Sequence, residues 1–556
     1  MKRMGRWLQF VFIVVLCSSC VSNRISKRYT STFDATLDTV QLVLEQDSLR
    51  MLSNKDYLVK NRYGMWELYV SGAPYDLGNR TGLLTEDLFR EQQRIFMDKL
   101  EHMVPSKFKR RLVSRFIHWY GRRLDDYIPS SYLDEIYALS THLDDAYPYA
   151  GDNFSLTLLM HAAHDLGHAL RDLAIVGCSS VASWGDKTED GKLLIGRNFD
   201  FYVGDEFAEN KVLNFVRPEH GIPFVSVSWP GMIGVVSGMN KEGLTVTMNA
   251  GKSTIPLSAK RPISIVAREI LERATNIEEA IAIAKGAQSF VSESLMIGSA
   301  KDKKAVLLEI SPKNFGIYEV ENGNQLVCTN HFQSDTYALD KRNTAHIQES
   351  HSQYRYDRLL ELLHRENKLN PEKMVAVLRN RKGLSDTDIG YGNDKSLNHL
   401  LAHHAVIFKP EDKLMWVSNS PYQLGAFTAY NLDEVFADSS TIGQSKQIKA
   451  LTIAEDAFVH SDAFVNYERY KSESDSIVYA IRVKGEVPEE RLKNFKELNP
   501  NLWLVYYLVG KYWYKQGAYE KALVELSQAL TLEIPTAQAE KEIRKLWKKA
   551  NKRRKV

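Results

Sequence analysis

The chain has 556 residues, 44% hydrophobic, 25% charged and 10% aromatic. That balance excludes a disordered tail protein, a collagen-like repeat and a multi-span membrane protein. Lys and Arg number 72 against 69 Asp and Glu. The surplus is matched by Lys2, Arg3 and Arg6, so the rest of the chain is balanced and no whole-protein field points at nucleic acid.

Residues 1–19 read as a targeting signal. The basic start precedes an apolar run from Trp7 to Leu16 and then Cys17-Ser18-Ser19-Cys20. The run is far shorter than the roughly 20 residues needed to span a bilayer, and the basic, apolar, small-residue order is that of a secretory peptide. A Cys directly after small residues looks like a bacterial lipoprotein signal, with Cys20 acylated as the mature N-terminus. The alternative is an ordinary cleaved signal with an incidental Cys. The expectation is an extracytoplasmic protein, facing the periplasm or the cell surface and anchored to the membrane through Cys20, with the polar stretch from Val21 to Thr32 as a tether. Two of the four Cys lie in this segment, leaving Cys178 and Cys328. Two thiols make no disulfide framework; they could pair, or one could be kept as a working thiol.

Residues 20–177 form the first unit of the mature chain, and 33–175 read as mostly helical, with apolar residues at helical spacing in Leu84–Met103, Phe108–Leu124 and Leu156–Leu173. Ser71 to Gly78 reads as a loop by its Gly and Pro content. At Gly177 the texture changes. Val181–Trp184 and Leu193–Ile195, around a polar turn, read as a hairpin, followed by strands Phe224–Ser228, Ile233–Ser237 and Leu244–Asn249. In the last, Leu244, Val246 and Met248 alternate with Thr245, Thr247 and Asn249, giving one apolar and one polar face.

Next come helices over Pro262–Ala274 and after Asn276, whose cap is followed by Glu278 and Glu279, with Gly286 at the far end. Strands resume at Leu295–Gly298, Ala305–Ile310, Phe315–Glu321 and Gln325–Thr329, the last two joined by a hairpin signal, Asn322-Gly323-Asn324. Helices at Tyr354–Leu363 and Pro371–Arg379 and strands at Ala405–Phe408 and Met415–Ser418 complete a layered α+β unit over 178–436.

Residues 437–498 read as a charged connector. The small and aromatic rhythm of 499–556 (Tyr506, Gly510, Trp513, Gly517, Ala522, Leu526, Ala529, Pro535) resembles one tetratricopeptide repeat. A single copy cannot bury its own face, so it is expected to pack on the body of the protein, with a protein partner at this end as a further expectation. The basic stretch from Lys541 to Lys555 reads as a solvated helix end.

The sharpest chemical constellation begins at Gly177-Cys178-Ser179-Ser180. A thiol opening a strand is by itself most simply a core residue. Its company changes that reading: Arg197-Asn198-Phe199-Asp200 after the hairpin, then Asn240-Lys241-Glu242-Gly243, Met248-Asn249-Ala250-Gly251, Cys328-Thr329-Asn330-His331-Phe332 and Ser352-Gln353-Tyr354-Arg355.

With Gly72 to Gly78 and Gly238-Met239-Asn240, these pieces resemble, over about residues 65–436, the acyl-CoA:6-aminopenicillanate acyltransferase-like (isopenicillin N acyltransferase) family. Its kin are choloylglycine hydrolases, penicillin V acylases and acid ceramidases, all N-terminal-nucleophile hydrolases. The resemblance implies a four-layer αββα sandwich with a helical precursor segment. It also implies cleavage between Gly177 and Cys178, freeing a residue that carries both thiol and α-amine. Arg197 would lower the thiol pKa, and Asp200 would bond the new amine. Asn249 (backbone) and Asn330 (side-chain amide) would donate to the oxyanion, and Arg355 matches a distal arginine. The implied activity is that of an autoprocessed cysteine amidohydrolase or acyltransferase acting on carbon–nitrogen bonds other than peptide bonds. Its small-molecule substrate would be an apolar acyl amide, with no cofactor and no metal.

Other readings stay open. One is a non-catalytic surface scaffold binding a partner through its repeat-like end; another is a Cys/His peptidase pairing Cys178 with His331. His161, His164 and His168, at i, i+3 and i+7, could ligate zinc, although no HExxH is present and a polar interface helix fits as well. His399, His403 and His404 read as rim residues near a strand start. Phe199, Phe201, Tyr202, Trp229 and Met232 sit in or near loops after the site strands, where they suit an acyl or aryl group.

Overall fold

Every residue of Leu244–Ala250 is buried, so this strand is covered on both faces and its polar face does not meet solvent. The computed structural model, which describes residues 40–162, 165, 175–254, 258–437 and 441–554, shows what covers it. Leu244, Val246 and Met248 pack against helices, and Thr245, Thr247 and Asn249 point, by strand alternation, at a second sheet.

The larger sheet has 11 strands: β1 (Leu42–Gln46), β2 (Leu49–Leu52), β3 (Tyr57–Lys60), β4 (Trp66–Gly72), β7 (Val212–Pro218), β8 (Phe224–Ser228), β9 (Ser237–Asn240), β10 (Leu244–Ala250), β11 (Glu293–Ser299), β12 (Lys304–Ile310) and β13 (Phe315–Tyr318). All its pairs are antiparallel except β4 with β7. The smaller sheet has six, in the order β14 (Gln325–Cys328), β5 (Ile175–Ser183), β6 (Leu194–Tyr202), β15 (His404–Lys409), β16 (Leu414–Ser418) and β17 (Phe427–Asn431).

Leu213, Phe215, Val225 and Met296 of the larger sheet meet Ala182, Ile195, Val406 and Phe408 of the smaller in one apolar layer. The outer face of the larger sheet is covered by α1 (Pro74–Met103), α2 (Lys107–Gly121), α3 (Ser130–Ser140), α4 (Asn153–His161), α5 (Ile263–Arg273) and α6 (Ile277–Gly286). Past α7 (Lys341–Glu349), α8 (Ser352–Arg365) and α9 (Pro371–Leu378) cover the smaller sheet. The architecture is a four-layer αββα sandwich.

Local signals place most elements. Asn276 caps α6 by accepting from Glu279 N at 3.0 Å, and Asn370 caps α9 through Lys373 N at 2.8 Å. Several readings change. Within the stretch taken as helical from residue 33, the described part, from residue 40, opens with the four strands β1–β4. The Gly/Pro stretch at 71–78 ends β4 and then starts a 30-residue helix, because Pro74 sits at its first turn, where no N–H is needed. Only Ser237 of the expected strand Ile233–Ser237 is in a strand. Asn322-Gly323 does not join a hairpin: β13 edges the larger sheet, while β14 pairs with β5 in the smaller one. The expected helix Leu156–Leu173 is described only to its early turns, in α4.

The connector of 437–498 holds two helices, α10 (Asp462–Val483) and α11 (Glu489–Leu498). Beyond it α12 (Trp503–Gln516) and α13 (Tyr519–Ala529) are joined at Gly517, whose φ of 82° suits glycine, and α14 (Ala537–Arg554) follows. Among the described residues no helix is long and apolar enough to cross a membrane. Cys20 and the signal segment lie outside the described residues.

Candidate active site

Antiparallel pairing of β5 with β6 sets Gly177 opposite Asp200, Cys178 opposite Phe199 and Ser180 opposite Arg197. Directly opposed residues share a face. Cys178 and Arg197 therefore look into the space between the sheets, and Gly177 and Asp200 look toward α8 and α9.

Arg197 is fully buried and reaches across to the larger sheet, donating to Val236 O at 3.1 Å, to Ser237 Oγ and to Met248 O. Its Nη2 lies 3.6 Å from Cys178 Sγ, and its guanidinium stands 4.1 Å over the Phe199 ring. Burial pushes the Cys178 thiol up and Arg197 pulls it back; the same burial pushes Arg197 down. Cys178 and Cys328 are both buried free thiols, so the disulfide reading does not hold.

The backbone N–H of Cys178 donates to Asn330 Oδ1 at 3.0 Å. Arg355, fully buried on α8, donates to that same oxygen, to Cys178 O at 2.7 Å and to Ser179 Oγ at 2.9 Å. Two donors converging on one atom identify it as the amide oxygen. The Asn330 NH2 donates to Ala250 O at 3.0 Å, so its donor is engaged by β10. The Asn249 side chain accepts from Ser180 Oγ at 2.8 Å and donates to Cys328 O and Thr329 O, each at 3.2 Å, which ties β10 to both β5 and β14. Its backbone pairs with Ser294 in β11.

Asp200 is fully buried, and neither carboxylate oxygen has a hydrogen-bond partner among the described residues. Burial pushes its carboxyl up to about 8 against the pull of Arg355 and Arg197. His399 Nδ1 stands 3.8 Å from Asp200 Oδ2, and His351 packs edge-on at 5.9 Å behind it. Burial and then Arg355 push His399 down to about 3, so that pair is a neutral imidazole beside a carboxyl.

His399, His403 and His404 are thus interior groups, not rim residues, with exposures of 1%, 0% and 0%. Their strand-start position gave no sign of this, because the loop before β15 passes beneath the C-terminal helices. His331 bonds Ser352 Oγ at 2.8 Å and Thr329 Oγ1 at 3.2 Å; the contact with Cys178 that a Cys/His pair needs is not among the hydrogen bonds of the described residues. His161 has one ring nitrogen on Thr157 O at 2.8 Å and the other taking Ile233 N–H at 3.0 Å, so both its ligand positions are used. His164 and His168 lie outside the described residues. Phe199, Phe201 and Trp229 form a buried stack, with centroids 5.7 and 5.6 Å apart, and Met232 is buried too.

Curated relatives match about half of the chain. An uncharacterized protein of Archaeoglobus fulgidus is 24% identical over 47% of this chain and 46% of its own length. Protein dcd1B of Dictyostelium discoideum is 22% identical over 46% of this chain and 52% of its own. The chain therefore spans about half the length of these relatives. Solved structures similar to it include a Caenorhabditis elegans ortholog of N-acylethanolamine-hydrolyzing acid amidase, at 16% identity over 42% of this chain and 93% of that one, with a TM-score of 0.31. A conjugated bile acid hydrolase of Clostridium perfringens shares 14% identity over 49% and 96%, with a TM-score of 0.33. Penicillin V acylase of Agrobacterium tumefaciens shares 14% over 44% and 83%, with a TM-score of 0.27. Residues 187–420 match the family model of acyl-coenzyme A:6-aminopenicillanic acid acyl-transferase, a span that begins just after Cys178 and takes in Arg197, Asp200, Asn249, Asn330 and Arg355.

Proposed function

We propose that this protein is an autoprocessed cysteine amidohydrolase or acyltransferase that breaks the linear C–N bond of an apolar acyl amide through a thioester on Cys178. The observation that carries the reading is the placement of the Cys178 thiol 3.6 Å from a buried guanidinium while its backbone nitrogen sits on Asn330 Oδ1.

In the uncut chain that nitrogen is an amide and cannot accept a proton. The thiol attacks the Gly177 carbonyl, the acyl group moves from nitrogen to sulfur, and water then releases the Gly177 carboxylate. The freed α-amine, with a reference pKa of about 7.7–8.0, acts as base near neutral pH without a separate histidine. Its Asn330 contact already exists, and Asp200 faces the position that Gly177 vacates. The thiolate then adds to the substrate carbonyl, the amine leaves with a proton, and the thioester passes to water or to another amine. Asn330 serves as an oxyanion donor only if its amide turns from Ala250 O toward the site; the Asn249 backbone N–H is the second donor only where it leaves its Ser294 partner in β11. Such donors are typically worth about 3–4 kcal/mol each. Arg355 acts by holding Asn330 Oδ1 and Cys178 O. The buried Phe199–Phe201–Trp229 stack supports an apolar or aryl acyl group.

No cofactor enters this scheme. The basic-apolar-Cys segment supports lipid attachment at Cys20 and an extracytoplasmic, membrane-anchored location; incorporation of labelled fatty acid, lost in Cys20→Ala, tests that. For the enzyme, intact mass and N-terminal sequencing of wild type should give two associated chains, the second starting at Cys178, and Cys178→Ala one inactive chain. An active, uncut Cys178→Ala protein overturns the reading. Product mass spectrometry on bile-acid conjugates, N-acyl amino acids, penicillin V and peptides then assigns the substrate; turnover of free peptides alone excludes the acyl amide class.

A further inference from the structure

Between the two sheets a run of polar side chains leads away from Arg197. Arg197 Nη1 donates to Ser237 Oγ, Ser237 Oγ lies 2.9 Å from His404 Nε2, and His404 Nδ1 lies 2.8 Å from His403 Nδ1. Ser237, His403 and His404 each have 0% exposure, and His403 is boxed by the rings of Phe199, Phe207 and Trp229.

The direction of this chain follows from chemistry. A guanidinium only donates, so Ser237 Oγ accepts from it. If the serine proton goes to His404 Nε2, then His404 carries its proton on Nδ1, donates to His403 Nδ1, and leaves His403 protonated on Nε2. The reverse direction would strand the serine hydroxyl as well as His403 Nε2, and each stranded buried polar atom is costly. The forward direction strands only His403 Nε2, which has no partner among the described residues. Both histidines must be neutral for either version. Their surroundings favour that: burial holds both well below the ordinary imidazole range, and the nearby cations Arg197 and Lys211 add to it.

The second observation concerns charge. Every hydrogen bond of Arg197 among the described residues ends on a neutral oxygen or on Cys178 Sγ. Orienting a guanidinium with neutral acceptors instead of a carboxylate leaves its positive charge available to the sulfur. Around Cys178 the other titratable groups are Asp200 on β6 and Glu293 on β11, which oppose thiolate, the Cys328 thiol on β14, and Arg355 on α8, whose guanidinium is held on Cys178 O and Ser179 Oγ; Arg197 is the cation whose hydrogen bond reaches the sulfur itself, so its geometry bears directly on how readily the thiol ionises.

We propose that Ser237, His404 and His403 are positioning residues for Arg197, a one-way hydrogen-bond chain of neutral groups that fixes the guanidinium edge against Cys178 and thereby sets the thiolate population. The proposal rests on the functional reading above only in taking Cys178 as the working thiol.

The test is the pH dependence of Cys178 alkylation by iodoacetamide in the full-length protein, followed by mass spectrometry of the peptide that carries it. Ser237→Ala removes little volume and breaks the chain; His404→Leu breaks it one step further on; His404→Gln keeps an acceptor for Ser237. The alkylation midpoint should rise by about one pH unit, roughly tenfold less thiolate at a given pH, in Ser237→Ala and His404→Leu, and stay near wild type in His404→Gln. Coincident midpoints in folded wild type and Ser237→Ala overturn the proposal. So does an equal shift in His404→Gln and His404→Leu, which would assign the effect to packing. A native Cys178 that resists alkylation at every pH, while the denatured chain reacts, overturns it as well. An active, uncut Cys178→Ala protein would refute the proposed enzyme and leave these midpoints standing, so the two failures are distinct.

Discussion

A methyl group added at Gly177 would stand 2.7 Å from His399 Cε1, and the residue is not among those with positive φ. The glycine is therefore required by the imidazole packed on it, not by strained backbone. Gly177→Ala should push His399 off Asp200 and slow conversion to two chains by about tenfold or more, as overpacking by one carbon commonly costs about 1–3 kcal/mol; a timed denaturing gel measures this, and unchanged cleavage would remove His399 from the argument. Asp200 makes a pH prediction. An unfolded Asp titrates near about 3.9, whereas burial pushes this one up to about 8. Between those values the unfolded chain releases a proton that the folded chain keeps. Its contribution is thus fully present below about 3.9, is lost as pH rises through the window, and is gone above about 8. Asp200→Asn cannot ionise, so its Tm relative to wild type should climb from pH 5 to pH 8; a pH-independent difference would contradict the assignment. The sequence made Cys178, Arg197 and Arg355 legible because each lies in a short motif beside a strand or helix signal. His399, His403, His404 and Ser237 were not legible, because their burial comes from chain segments remote in sequence.

Cleavage after Gly177 would leave β1–β4 on one chain and the rest of the larger sheet on the other, yet β4 and β7 are paired in parallel from Trp66–Val212 to Gly72–Pro218. The helical layer adds a second tie. Arg268 on α5, buried, contacts Glu135 on α3 at 2.8 Å and Glu272 at 2.8 Å, and Tyr132 donates to Glu272 at 2.7 Å. The two chains should accordingly copurify and separate only in denaturant. Glu135→Ala would leave Arg268 with one carboxylate fewer in an apolar layer, a loss of about 3–5 kcal/mol by analogy with other broken buried pairs. A lowered denaturant midpoint for dissociation checks it, and an unchanged midpoint would show that the strands alone hold the chains. Element type was readable where the signal is local: alternation in β10, the Asn276 cap of α6, the small and aromatic rhythm of α12 and α13. Pairing was not readable. Asn322-Gly323 is a sound turn signal, but the strands it joins belong to different sheets, β13 beside β12 and β14 beside β5. The strands β1–β3 have only 4–5 residues each, too few for a period of two to stand out from a helical pattern.

The C-terminal helices bear on the site through one loop. Leu400 and Leu424 of the sandwich share an apolar cluster with Tyr467, Tyr470, Leu502 and Val505, so α10 and α12 are seated on the sandwich rather than left free. The loop between α9 and β15, which carries His399 and His403, is held by them. Asn499, 1% exposed, accepts from Tyr391 N at 3.0 Å and donates to Tyr391 O at 2.8 Å. Asn393 donates to Glu533 O at 2.9 Å, and Lys395 pairs with Glu533 at 2.5 Å. Gly390 lies so close to Leu502 that a Cβ there would be 2.5 Å from its nitrogen. One amide side chain thus satisfies both polar groups of a loop residue, which is why this stretch can be packed although it has no ladder of its own. Asn499→Ala strands both Tyr391 groups, at about 1–3 kcal/mol for each one left unsatisfied, whereas Asn499→Asp keeps the acceptor and loses the donor. Hydrogen exchange across 389–403 should therefore speed up in the order wild type, Asn499→Asp, Asn499→Ala, and His399, released from its seat against Gly177, should slow two-chain formation in the same order. Faster exchange confined to the helices beyond 499, with the loop and the cleavage rate unchanged, would show that the C-terminal end is only attached to the sandwich and does not support its site.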